Sequence, residues 1–107
     1  MVQAGTVTRL SGADRYATSA AISKASFSPG VPVAYIATGL NFPDALSGAP
    51  VAALAGGPIL LVPGTSIPSA IATELGRLKP ARIVILGSTS VVSSGVATTL
   101  SYYTTGP

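Results

Sequence analysis

The stretch Val33-Ala34-Tyr35-Ile36-Ala37-Thr38-Gly39 decides how the rest of the chain reads. Its residues are apolar almost throughout, include β-branched and aromatic side chains, and run straight into a glycine. A strand with one wet face would alternate apolar and polar positions. A nearly continuous apolar run fits a parallel strand covered on both faces. Parallel neighbours need crossover connections of a dozen or more residues, usually containing a helix. One such strand therefore predicts others at a helix-and-loop interval. Val7-Thr8-Arg9-Leu10-Ser11-Gly12, Ile59-Leu60-Leu61-Val62-Pro63-Gly64 and Ile83-Val84-Ile85-Leu86-Gly87 meet that expectation. Their glycines recur about every 25 residues, the length of one strand, one helix and two loops.

Helical patterns fill the intervals. Ile67, Ile71, Leu75 and Leu78 stack on one face at helical spacing, as do Val92, Val96, Leu100 and Tyr103. Tyr16, Ala17, Ala20, Ala21 and Lys24 give a small-residue helix after the first run. Ser11-Gly12-Ala13-Asp14 has the spacing of a capping box, with Ser11 as the cap and Asp14 reaching back. A further helix opens at Asn41-Phe42-Pro43-Asp44, is kinked by Pro50, and stops at Gly56-Gly57-Pro58. Four strand–helix units in a row predict one small α/β domain spanning residues 1–107. Its sheet is mostly parallel and flanked by helices.

Composition narrows the function. The chain has 107 residues, enough for one domain with a single core. It is 48% hydrophobic and only 8% charged, with a mean hydropathy of +0.60, the opposite of a disordered composition. Cysteine and histidine are both absent, which removes disulfides, thiolate chemistry, the usual general base and the commonest metal ligand. The carboxylates are Asp14, Asp44 and Glu74. Neither a dinucleotide fingerprint nor a P-loop nor a nucleophile elbow occurs. The net charge of +3 and pI of 9.7 come from scattered cations without the dense basic stripe of nucleic-acid binders. Residues 45–62 form the longest apolar stretch, and Pro50, Gly56, Gly57 and Pro58 interrupt it well short of a membrane span. The first residues lack a signal peptide's charged and apolar regions. Met1 is expected to start an excised fragment, with any export signal outside it.

In a parallel α/β domain, strand C-termini and the following helix N-termini gather along one edge. That edge is expected to collect Arg9, Arg15, Asp14, Asn41 and Asp44, with hydroxyls from Ser11, Thr38, Thr65, Ser66, Ser88 and Ser90. Its helix N-termini favour anions. The two aspartates also suit plain helix capping and pairing with Arg9 or Arg15. Arg77, Lys79 and Arg82 fall at the opposite end of the sheet, where Arg77 and Lys79 complement a helix dipole.

Arg9-Leu10-Ser11-Gly12-Ala13-Asp14-Arg15-Tyr16-Ala17-Thr18 resembles the opening of the type 2 cell-wall-binding repeat of Gram-positive surface-layer and cell-wall proteins. Asn41-Phe42-Pro43-Asp44-Ala45-Leu46 and Pro58-Ile59-Leu60-Leu61 resemble two further hallmarks of that family. Ile83-Val84-Ile85-Leu86-Gly87, with a helix starting near Ser93, resembles a fourth. The likeness covers about residues 8–100. It departs at Gly87-Ser88, where the family usually has a glycine pair, and in carrying one copy of the repeat where three in tandem are usual.

The resemblance implies a non-catalytic module without cofactor or metal, a fold likened to Toprim, and location at the cell surface. It implies binding of an anionic secondary cell-wall polymer, with Arg9, Arg15, Asn41, Asp44, Pro58, Ile59, Leu60 and Leu61 as the candidate ligand-binding residues. Pro58-Ile59-Leu60-Leu61 also reads simply as core. The family's pseudo-threefold packing implies a homotrimer or a tandem pseudo-trimer, with Arg15 and Asp44 pairing across the junction. Two alternatives stand beside this reading. One is a structural or oligomerisation module without polymer affinity. The other is a small phosphotransfer or nuclease-like enzyme on the same fold.

Overall fold

The computed structural model describes residues 11–40, 56–89 and 91–104. Within them the elements run α1 (Arg15–Ser26), β1 (Val33–Thr38), β2 (Ile59–Val62), α2 (Ser69–Leu78), β3 (Arg82–Leu86) and α3 (Ser94–Ser101). The strands form one sheet of order β2-β1-β3, and both pairings are parallel. Tyr35 lies opposite Ile59 on one side and Val84 on the other. The run that ends at Gly39 is thus the middle of these three strands, and every residue of β1 is buried.

Alternation along the strands splits the buried side chains into two sets. Ala34, Ile36, Leu60 and Val62 pack with the inner faces of the helices, through Ala20 of α1, Ile71, Leu75 and Leu78 of α2, and Val96 and Leu100 of α3. Val33 and Tyr35 form a second cluster with Ile59, Val84 and Leu86. The helical spacing of 71, 75 and 78, and of 92, 96 and 100, therefore reports the core side of α2 and of the segment ending in α3. Each fully buried Leu or Ile contributes about 1.5–3 kcal/mol through the water it leaves.

The start of α1 differs from the capping-box expectation. Asp14, not Ser11, is the N-cap, and its Oδ1 accepts from the Ala17 backbone N–H at 2.8 Å. Gly12 permits this arrangement: a Cβ there would lie 2.5 Å from that of Ala17, so only glycine lets the chain before Asp14 pass this close to the first turn. A helix starts near Ser93 as expected, and Ser93 caps this α3, accepting from Val96 N at 3.2 Å. The first run's residues 7–10, the helix expected between 41 and 55, and its Pro50 lie outside the described residues.

A buried polar link joins α1 to α2. Glu74 accepts from Ser23 Oγ and pairs with Arg77, whose Nη2 lies 2.7 Å from its carboxylate and also donates to the Phe27 carbonyl. The hydrogen bond to Glu74 holds the guanidinium pKa above its ordinary value, against the opposing pull of desolvation. Arg77 sits in the last turn of α2 and Lys79 caps it in the left-handed conformation, both at the end of the sheet remote from Arg15.

Candidate functional site

All three strands run the same way, so Thr38, Val62 and Leu86 end together and their loops emerge side by side. Two contacts lock those loops. The Ser93 N–H donates to the Gly64 carbonyl at 2.8 Å, tying the β2 loop to the start of α3. The Leu40 N–H donates to Thr38 Oγ1 at 2.9 Å, turning the chain sharply after β1. Gly64 is required where it stands: its φ is +105°, and a Cβ would meet the Val91 carbonyl oxygen at 2.5 Å.

Between these loops lies an open hollow of about 320 Å³, lined in part by Thr38, Leu40, Thr65, Thr89 and Val91. A second hollow of about 320 Å³ adjoins it through Thr65 and Ser93, and runs along α3 past Ile67 and Gly95 to Tyr103. Hydroxyls and small apolar surfaces alternate along both, and none of their described lining residues carries a charge.

Among the described residues, the cation that contacts one of these loops is Arg15, the first residue of α1. Its Nη1 donates to the carbonyl oxygen of Gly39, the residue between Thr38 and Leu40. The loop that forms one wall of the hollow is thereby tied to the N-terminus of α1. A side chain at Gly39 would collide with that packing, meeting Tyr16 at 2.8 Å and Arg15 at 2.9 Å.

The sequence profile of cell wall binding domain 2 (CWB2) matches residues 9–97. The chain belongs to this family of cell wall binding domains. It is 33% identical over 91 residues to the N-acetylmuramoyl-L-alanine amidase LytC of Bacillus subtilis (strain 168), covering 85% of this chain and 18% of the relative. The solved structure of Cwp8 from Clostridium difficile has the same fold, with a TM-score of 0.77 and 24% identity over 89% of this chain and 17% of that one. The chain thus spans less than a fifth of either protein's length.

The resemblance read from the sequence is correct, and so is the small α/β class. In this CWB2 module, Arg15 stands exposed at the strand C-terminal edge as expected. Asp14 serves as a helix cap. Pro58 and Leu60 are buried, Leu60 completely, while Ile59 and Leu61 are half-buried. The core reading of the Pro58-Ile59-Leu60-Leu61 hallmark therefore has direct support at Leu60. Arg9, Asn41 and Asp44 lie outside the described residues, as does Ser90.

Leu40, Thr89, Val91 and Tyr103 line the hollows without having been singled out as binding residues. Tyr103 was legible only as the last member of a helical stripe. Its half-buried ring packs on the core and also borders the second hollow.

Proposed function

We propose that this module holds a surface protein in the cell wall of a Gram-positive bacterium by binding an anionic secondary wall polymer, and that it catalyses nothing itself. Family membership supports attachment to the wall. The single feature that carries the finer reading is Arg15 beside the hydroxyl-lined edge: its guanidinium has five N–H donors and gives one to Gly39. Arg15 is exposed, and in this reading its remaining donors recognise a phosphate or carboxylate of the polymer by charge-assisted hydrogen bonds. Arg9, Asn41 and Asp44 belong to the same proposed site by their place in the family's motifs. Ile59 and Leu61 represent the Pro58-Ile59-Leu60-Leu61 block there, with Pro58 and Leu60 supporting from the core. The LytC relative is named as an amidase, and the matched segment is a small share of its length, which agrees with a module that locates a protein and leaves chemistry to other domains. Retention on purified walls, compared before and after hydrofluoric-acid extraction of their secondary polymers, tests the proposal.

We infer that the module works beside sister copies, as a homotrimer or in a tandem pseudo-trimer. A shallow groove between α1 and α2 is lined by Ala17, Ala20, Ala21 and Ala70 together with the polar Lys24, Ser69, Thr73 and Glu74, and Ile22 stands 46% exposed on α1. Small side chains there permit close approach of another module, and the exposed Ile22 supplies apolar surface to bury. In that arrangement Arg15 meets Asp44 of the neighbouring copy.

A further inference from the structure

We propose that the two adjoining hollows form one groove that takes uncharged sugar units of the wall polymer, while its anionic groups stay outside at Arg15. This rests on the wall-polymer reading above and specifies the chemistry of its contact. The hollows share Thr65 and Ser93 and so lie side by side, one bordered by Thr89 and the other reaching Tyr103. A single small molecule needs one pocket; two in series suit consecutive units of a polymer.

The lining matches a sugar and nothing charged. A pyranose presents hydroxyls around its rim and C–H groups on its faces. Thr65 and Thr89 offer exposed hydroxyls, each able to donate and accept. Leu40, 72% exposed, and Val91 offer apolar contact at one end, and Tyr103 supplies an amphipathic ring at the other. A carboxylate or phosphate within the groove would lose water without gaining a cation from any described lining residue.

Gly95 leaves the second hollow open. It is exposed on α3, and a Cβ there would touch only Ser93 Oγ, at 3.9 Å. Gly95→Gln thus adds a side chain on the wall of this hollow at a position with room for its Cβ, in a helix where glutamine is favoured over glycine. Gly76→Gln makes the same change on α2, where a Cβ meets nothing within 4 Å, and serves as the control. Thr65→Val removes the shared hydroxyl at constant shape.

The test is binding of the variants to purified Gram-positive walls and to polymer extracted from them, over sodium chloride concentrations from below to above physiological strength, with melting temperature measured in parallel. G95Q is expected to bind about tenfold more weakly at every salt concentration, with its melting temperature undiminished. T65V is expected to follow in the same direction, and G76Q to bind like the parent. Loss on extracted polymer names the secondary polymer as the source of the sugar. A G95Q defect seen only on polymer-stripped walls overturns the secondary polymer as the occupant and points to the peptidoglycan glycan instead. Parent-like binding by G95Q at all salt concentrations overturns the groove alone. A G95Q defect that vanishes as salt rises overturns the assignment of uncharged units. Failure of the parent protein to bind walls overturns the wall-polymer reading and this inference with it.

Discussion

Arg15 donates from its guanidinium to the carbonyl oxygen of Gly39, joining the first residue of α1 to the loop that leaves the central strand. Arg15 lies in the opening block that resembles the family, and Gly39 closes the β1 run. Their contact places the cation next to Thr38 and Leu40 and so next to the hollow they line. One side chain thus joins the proposed charge contact to the wall of the hollow.

Replacing Arg15 with Gln is expected to weaken wall binding by up to about fivefold at low salt, the range of an exposed charged contact. Such contacts are screened over about 10 Å at 0.1 M salt, so the defect should shrink as salt is added. Co-sedimentation with purified walls across a salt series measures both. An Arg9→Ala/Arg15→Ala double variant that binds fully removes the arginines from the site.

Leu60 is completely buried against the helices. Leu60→Ala is expected to cost about 2–5 kcal/mol of stability, measured by urea unfolding, while the fraction still folded binds walls like the parent. Lost binding at unchanged stability would assign Leu60 to the ligand instead.

Glu74 is 4% exposed and serves Ser23 and Arg77 at once. Truncation to Ala leaves Arg77 without its pair and Ser23 without its acceptor, and is expected to destabilise by about 3 kcal/mol. Combined with Arg77→Ala in a double-mutant cycle, the two losses should be far from additive. The pH dependence follows from the raised pKa of Arg77. A cation whose folded pKa exceeds its unfolded value stabilises fully below the unfolded value and loses that contribution only as pH climbs past it. The Arg77 contribution is therefore constant through the neutral range and fades only in strong alkali.

Gly64→Ala forces a side chain into a left-handed backbone and against the Val91 carbonyl. A loss of about 1–3 kcal/mol is expected, together with weaker wall binding, because the Gly64–Ser93 tie shapes both hollows. Thermal unfolding and co-sedimentation check the two effects.

If the groove between α1 and α2 packs against sister copies, light scattering coupled to size-exclusion chromatography at micromolar concentration should give a trimer of the 10.5 kDa chain. A mass near that of one chain across the range contradicts the assembly and the Arg15–Asp44 contact proposed with it.

Strands, helices and the shared C-terminal edge were legible because each leaves a periodic trace: β1 as an unbroken apolar run, α2 as residues 71, 75 and 78. The N-cap of α1 was not, because Ser11 and Asp14 are both good caps, and the close approach of the Gly12 backbone to Ala17, which only the folded chain shows, goes with Asp14 as the cap. Glu74 fell on the buried face of α2 by spacing alone, three residues after Ile71 and four before Leu78. What conceals its role is that its partners, Ser23 and the Phe27 carbonyl reached by Arg77, come from α1 and its end, some fifty residues away. The hollows were illegible for the same reason. Thr65 read as part of the edge, Ser93 as near a helix start and Tyr103 as part of a helical stripe, but they meet only after β2, β3 and α3 have packed.

The decisive measurement is retention of the purified module on Gram-positive cell walls before and after hydrofluoric-acid extraction. Retention on intact walls that disappears after extraction, and that added extracted polymer competes away, is the expected result. Equal retention on extracted and intact walls, or no retention on either, would contradict binding to a secondary wall polymer.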